Sequence, residues 1–371
     1  MDRRNFLLGL SSVLPAAAAI GTSSQWRNAA AAEATNPAPW RKFQITTRVQ
    51  IANPAGRTCL WLPLPWSQRT QYQRALGPQW DAAGATRAEV ITLARYDVAL
   101  LRVEWLDAKS VTPVTLINRV ATRDRRVDLN GPPRADESPE APSLLQTYLR
   151  PTALLPTDGI VKEGAERITR DCKDDLERAR AIYEWVVDNT NRDPKTPGCG
   201  VGDVASMLRS GNLGGKCADI NALFVALARA TGIPARDVYG IRLADSRRGF
   251  KSLGRSGDIT KAQHCRAEFY ARGYGWIPVD PADVRKVVLE EVPGGLPMED
   301  PRVEAARAAL FGSWEMNWLA YNHGHDIVLP GSRQDGIPFL MYPNGETADG
   351  RLDYLDPETF RYEIHVSEVT A

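Results

Sequence analysis

Apolar and polar residues alternate one by one through Phe43-Gln44-Ile45-Thr46-Thr47-Arg48-Val49-Gln50-Ile51, and similar runs return at Ala88 to Leu93 and Val98 to Leu106. A period of two puts every second side chain on the same face of an extended chain, and Pro, Gly and Asn between the runs supply the turns. Residues 40–127 therefore predict the antiparallel strands of a small, all-β, sandwich-like domain. A charged and proline-rich stretch from Arg123 to Pro142 follows, and residues 128–142 are expected to be a linker.

Beyond the linker the period lengthens to about 3.6. Asp158 to Asp171 and Asp174 to Asn189 each predict a helix; in the second, Leu176, Ala179, Tyr183, Val186 and Val187 share one face, as a core-facing helix requires. Cys217 to Thr231 predicts a third helix, stopped by Gly232. Strands are expected at Pro234 to Leu243, Cys265 to Ala271 and Trp276 to Val279, with Arg272-Gly273-Tyr274-Gly275 as the hairpin turn between the last two. Helices followed by an antiparallel sheet make residues 143–295 an α+β unit. Residues 296–371 are expected to be an extension packed on the other domains. Within it, Glu304 to Asn322 predicts a helix with Trp314 and Trp318 on one side, and Phe360 to Val366 a last strand.

At 371 residues the chain is long enough for two or three domains, and 43% hydrophobic and 25% charged residues suit a soluble globular protein. A net charge of +1, with no run of Lys and Arg, excludes a nucleic-acid partner on electrostatic grounds. The first 32 residues are set apart. Arg3-Arg4 precedes Phe6-Leu7-Leu8, a broken apolar stretch to Ile20 and an alanine run. This resembles a twin-arginine export signal, with Asp2 where such signals prefer Ser or Thr. The stretch falls short of the ~20 residues that span a bilayer. The mature protein is thus expected to be periplasmic or extracellular, with no membrane span once the signal is removed.

Export bears on the five cysteines, Cys59, Cys172, Cys199, Cys217 and Cys265. In an oxidising compartment an odd number leaves at least one thiol unpaired. Cys217 is expected to be that one, with Cys199 and Cys265 the first pair to consider for a bridge; folding before export would leave all five free.

The chemistry begins at Gly214-Gly215-Lys216-Cys217-Ala218-Asp219, a glycine turn that delivers a cysteine to the first turn of a helix. A helix start carries unpaired N–H donors and partial positive charge, which stabilise a thiolate. Downstream, Gln263-His264-Cys265-Arg266-Ala267-Glu268-Phe269-Tyr270 and Gly275-Trp276-Ile277-Pro278-Val279-Asp280-Pro281 place a histidine and an aspartate in strand settings. Cys217, His264 and Asp280 in that order suggest a nucleophile, its base and the group that orients the base. The Cys217 N–H would face the oxyanion of an attacked carbonyl.

These three blocks, in this order and spacing, resemble the core of the bacterial transglutaminase-like proteins over roughly residues 170 to 285. The resemblance implies a papain-like Cys-His-Asp acyl-transfer fold carried by Cys217, His264 and Asp280. The chain departs from the family pattern at Cys265-Arg266 and at Thr190-Asn191-Arg192, where many members carry an aromatic residue. By analogy with the family, the indole N–H of Trp185 is a second candidate donor to the oxyanion; the alternative is that this tryptophan is simply a core residue of its helix.

Other polar residues have plainer expected roles. Glu268 and Arg236 should form structural ion pairs, and Asp219 should stabilise its helix start. His323 and His325 in Asn-His-Gly-His-Asp lack further spaced ligands and are expected in a surface loop rather than on a metal. Zinc on His264-Cys265 is disfavoured because neighbours on a strand point to opposite faces. No cofactor is implied, since thiol catalysis needs none. The expected activity is that of an exported, cysteine-dependent acyl-transfer enzyme. Its substrates would be peptide, protein or cell-wall amides, cleaved as by a peptidase or amidase or passed to an amine as by a transglutaminase. The alternative is a catalytically idle binding or scaffold protein.

Overall fold

The computed structural model describes residues 38–133 and 140–369. The expected export signal and part of the expected linker lie outside them. Six strands come first: β1 (Arg41–Ile51), β2 (Gly56–Pro63), β3 (Gln73–Asp81), β4 (Arg87–Leu93), β5 (Val98–Ala108) and β6 (Val114–Thr122). They divide between two sheets. In one, β12 (Phe360–Val369), β1, β6 and β3 lie side by side, with the short strand Gly257–Asp258 outside β12. In the other, β11 (Asn344–Thr347), β2, β5 and β4 follow one another, with Gly350–Arg351 at the edge. The alternation in β1 is the cause of this layering: Phe43, Ile45, Val49 and Ile51 turn inward and are at most 3% exposed. Val49 and Ile51 close with Leu60, Leu62, Leu101, Val103, Leu116 and Phe360 into one apolar core, as a two-sheet sandwich requires.

The last strand, β12, pairs with β1 along its whole length, from Lys42 opposite Val369 to Ile51 opposite Phe360. The two ends of the described chain therefore complete one sheet.

The second layer holds the helices α1 (Gly159–Ile168), α2 (Asp175–Asn189), α3 (Cys217–Ala230), α4 (Pro281–Glu290) and α5 (Pro301–Ala309). They accompany an antiparallel sheet in the order β9 (Gly275–Val279), β8 (Gln263–Ala271), β7 (Ala235–Arg242) and β10 (Trp318–Asn322). Together with the sandwich before it, this is the expected α+β architecture. Helix α3 is its centre: every residue from Cys217 to Arg229 is buried. A helix apolar on all sides gains stability only by such complete enclosure. At its head the Lys216 N–H donates to Asp219 Oδ2 at 2.9 Å, and past its last turn Gly232 takes φ +86°, the left-handed backbone that stops a helix.

One predicted element is corrected. Glu304 to Asn322 is not a single helix. The helix ends at Ala309; Ser313–Trp314 then pairs with Arg125–Arg126, and Trp318–Asn322 joins β7 as a strand. Trp314 and Trp318 are four residues apart, which mimics a helical stripe, yet all residues from 311 to 324 are buried. Burial alone would also admit a helix, as in α3; pairing with Arg125–Arg126 and with β7 is what holds these residues extended.

The loop after β10 is also corrected. His323 and His325 are not on the surface. The His323 side chain is fully buried, edge-on to Trp66 at 4.5 Å between ring centres. His325 Nε2 lies 3.1 Å from an Asp237 carboxylate oxygen and 3.2 Å from the Tyr239 hydroxyl. The loop is buried because β10 is an edge strand whose end is covered by Trp66 and Asp97 of the sandwich. Beside it, Arg236 and Glu268 form the expected ion pair at 2.6 Å, and Arg125 bonds the same carboxylate. The Arg236 guanidinium also stacks over Trp276, 3.9 Å from the ring centre.

Candidate active site

Cys217 is the first residue of α3, with Gly214-Gly215 and the extended Lys216 leading into it. Asp219, one turn inside, holds the preceding loop against the helix: its Oδ1 accepts the N–H groups of Val201 at 3.0 Å and Gly202 at 2.9 Å. Gly200 makes that approach possible, since a Cβ there would stand 1.8 Å from Asp219 Oδ2. The same loop brings Cys199 beside the nucleophile position, where its carbonyl accepts the Ala218 N–H at 2.9 Å.

His264 is the second residue of β8 and lies opposite Gly240 of β7. A Cβ on Gly240 would stand 2.0 Å from the Leu319 carbonyl and 2.4 Å from the Trp318 ring. Only glycine allows Trp318 to close here and donate its indole N–H to the His264 carbonyl at 2.8 Å. Asp280 ends β9 and caps α4, its Oδ1 accepting the Asp283 N–H at 3.1 Å. Its other oxygen, Oδ2, lies 2.8 Å from His264 Nε2.

Thus His264 and Asp280 are hydrogen-bonded, and the imidazole lies within interaction range of Cys217 at the head of α3. All three residues are buried, with Cys217 and His264 each 3% exposed and Asp280 0%. Contact with the thiols of Cys199 and Cys265 holds the Cys217 thiol well below the usual cysteine range; the imidazole of His264 adds to this, and burial opposes it. With Nε2 engaged by Asp280, Nδ1 is the ring nitrogen left to exchange a proton with sulfur. Such an arrangement can stabilise a thiolate beside an imidazolium.

Cys199 and Cys265 do not form a bridge. All five cysteines are free thiols, and Cys199 and Cys265 each make a side-chain contact with Cys217. Cys199 donates its S–H to the Gln263 carbonyl at 3.3 Å. Burial and the neighbouring sulfur push both thiols well above the usual range. Trp185 stands half buried on α2, against the apolar cluster that also holds Cys199, Cys217 and Cys265.

Several residues of the site escape sequence reasoning. Asn221, one helical turn after Cys217, donates to the Cys265 carbonyl at 2.8 Å and to Asp280 Oδ1 at 3.3 Å. Arg266 Nε lies 3.4 Å from Asp280 Oδ2. Asp283 Oδ1 lies 3.3 Å from His264 Nε2 and accepts from Arg242 at 2.5 Å. The i, i+3 spacing of Asp280 and Asp283 at a helix start was the available signal. Donor atoms of His264, Asp280 and Asp283 lie within 4.8 Å of one another, a spacing compatible with a metal ion. Arg242 and Arg266 already supply positive charge to the two carboxylates there, so the set does not call for a cation.

Residues 162–281 match the model of the transglutaminase-like superfamily. An uncharacterized protein of Haemophilus influenzae is 37% identical over 337 residues, which span 86% of this chain and 90% of that protein. Among solved structures, a candidate cysteine protease from Cytophaga hutchinsonii is 17% identical with a TM-score of 0.49, over 90% of this chain and 99% of its own. The periplasmic domain of TgpA from Pseudomonas aeruginosa is 16% identical with a TM-score of 0.37, over 74% and 92%. Among the described residues no helix is long and apolar enough to cross a membrane. The chain belongs to the family of the Haemophilus influenzae protein, and its residues 162–281 are a domain of the transglutaminase-like superfamily.

Proposed function

We propose that the protein is an exported, cysteine-dependent acyl-transfer enzyme acting on amide bonds of peptides, proteins or cell-wall fragments. Cys217 sulfur attacks the amide carbonyl, and His264, having taken the thiol proton, gives it to the departing amine. Asp280 holds the imidazole in position through Nε2. The Cys217 N–H at the helix start stabilises the oxyanion, with the indole N–H of Trp185 as a second donor. The resulting thioester passes its acyl group to water or to a second amine. Water is the favoured acceptor, because the exported compartment offers peptide and cell-wall amides for breakdown. The observation that carries this reading is a helix-start cysteine with a depressed pKa beside a histidine bonded to aspartate at 2.8 Å.

The competing reading, an idle scaffold, is favoured by one observation: Cys217 is only 3% exposed, within the same apolar cluster as Phe339, Met341 and Tyr342. Iodoacetamide separates the two. Selective labelling of Cys217 that is lost in His264→Ala supports the enzyme, whereas sluggish, pH-insensitive labelling supports the scaffold. Mass spectrometry of peptide and cell-wall fragments, with and without a primary amine, then reads the acceptor: mass loss for hydrolysis, mass gain for transfer, neither with Cys217→Ala.

A further inference from the structure

Two carboxylates, not one, converge on the same nitrogen of His264. Nε2 lies 2.8 Å from Asp280 Oδ2 and 3.3 Å from Asp283 Oδ1. The two acids leave the same helix start, Asp280 as its cap and Asp283 from its first turn. Both are at most 1% exposed. Buried acids at such separations ordinarily repel, and one takes up a proton. Here each carboxylate has its own cation: Arg242 bonds Asp283 at 2.5 Å, and Arg266 lies 3.4 Å from Asp280. Two negative and two positive charges balance without the histidine. An imidazolium–thiolate pair can therefore be added to the site with no change in its net charge.

Resting on the acyl-transfer reading above, we propose that the two acids divide the work. Asp280 orients the imidazole through its short hydrogen bond, and Asp283 is a positioning residue that sets how long the imidazolium keeps its proton. The electrostatics agree with this division. Burial disfavours the charged His264 ring, and Arg242 opposes it as well, but Asp283 through its charge and Asp280 through both its charge and its hydrogen bond raise the pKa above the usual value. Burial, then the charge of Asp283, pushes Asp280 upward. Asp283, despite burial, is held well below the usual carboxylate range by Arg242, His264, Arg266 and Lys286. The acid whose charged form is the more strongly stabilised is thus the more distant one. Arg242 engages Oδ1 of this carboxylate, and Oδ2 has no hydrogen-bond partner among the described residues.

The groups facing His264 are Asp280 at the end of β9, Asp283 and Lys286 from α4, Arg242 from β7, Arg266 from β8 with Glu315 behind it, and Cys217 from α3. Alkylation of Cys217 by iodoacetate, followed by mass spectrometry against pH, tests the proposal without a known substrate. The anionic reagent reads both limbs of the pair: its rate rises as the thiolate forms and falls as the imidazolium loses its proton. Asp283→Asn should move the falling limb down by about one pH unit, since removing one adjacent charge shifts a pKa by 1–3 units. Asp280→Asn, which weakens the short bond that orients the ring, should slow Cys217 alkylation at every pH. Arg242→Gln, which removes the opposing charge, should move the limb upward, and adding it to Asp283→Asn should restore the limb part of the way. Lys286, held near 8 by burial and by Arg242, titrates in the same range, so a falling limb that persists in Lys286→Met belongs to another group than Lys286. A falling limb at the wild-type pH in Asp283→Asn overturns the proposal, as does an unmoved limb in Arg242→Gln should the first variant not fold. Loss of the low-pH thiolate limb in the wild type would instead overturn the acyl-transfer reading itself.

Discussion

A single carboxylate ties His264 to the start of helix α4: Asp280 reaches the imidazole Nε2 with one oxygen at 2.8 Å and accepts the Asp283 N–H with the other at 3.1 Å. Orientation of the proposed base and capping of the helix are thereby one structural event. Asp280→Ala should lose both. Loss of a cap costs about 0.5–2 kcal/mol, and leaving Arg266 buried with a weaker counter-charge adds to it. Asp280→Asn retains an acceptor for the cap and should unfold in urea nearer the wild type, while turnover still falls steeply. Equal destabilisation by the two substitutions would separate the cap from this carboxylate.

Cys217→Ala should abolish turnover while costing only about 1 kcal/mol, the order expected for removing one small buried group. Urea midpoints and product formation on the same preparation give both values. Residual turnover close to wild type would place the chemistry elsewhere.

Glu268 governs acid stability. Burial alone would raise its pKa, but Arg236, Arg125 and His323 hold it well below the usual value of 4.5. A depressed folded-state pKa contributes stability that is fully present above the unfolded value and is lost as pH falls through the folded one. Unfolding free energy should therefore decline on acidification below about pH 4. Glu268→Gln should flatten that decline and cost roughly 3–5 kcal/mol at neutral pH, because Arg236 stays buried without its counter-charge. Urea titrations at several pH values check both effects.

Gly240→Ala should damage fold and chemistry together. The added methyl meets the Leu319 carbonyl and the Trp318 ring, and overpacking of this kind costs typically 1–3 kcal/mol. It also displaces the indole that holds the His264 carbonyl. A lowered melting temperature with slower Cys217 alkylation is expected; a wild-type alkylation rate would show that His264 tolerates loss of that support.

Local periodicity made much of this architecture readable in advance. Strand β1 alternates because one face is buried, and the helix at Cys217 announces itself through Gly214-Gly215 and Gly232. The neighbourhoods of Cys217, His264 and Asp280 were legible because each lies at the end of a recognisable element. What stayed hidden depends on contacts between distant elements. Trp314 and Trp318 looked like a helical stripe because spacing cannot reveal enclosure from both sides. His323 looked exposed because nothing near it in the chain predicts Trp66 above it. Asp283, Arg242 and Arg266 read as ordinary helix and strand charges until the fold gathered them around one imidazole.

Pairing β1 with β12 has a consequence for biosynthesis. Strand β1 can pair early with β6 on one side, but its neighbour on the other side, β12, comes far later in the chain, so that side of the sheet closes only once β12 has left the ribosome. Long sequence separation of this kind slows folding. A product stopped short of Phe360 would leave Phe43, Ile45 and Val49 lacking one of the strands that flank them, and should be cleared by proteolysis rather than accumulate. Closure of that side of the sheet is thus coupled to synthesis of the Phe360–Val369 segment.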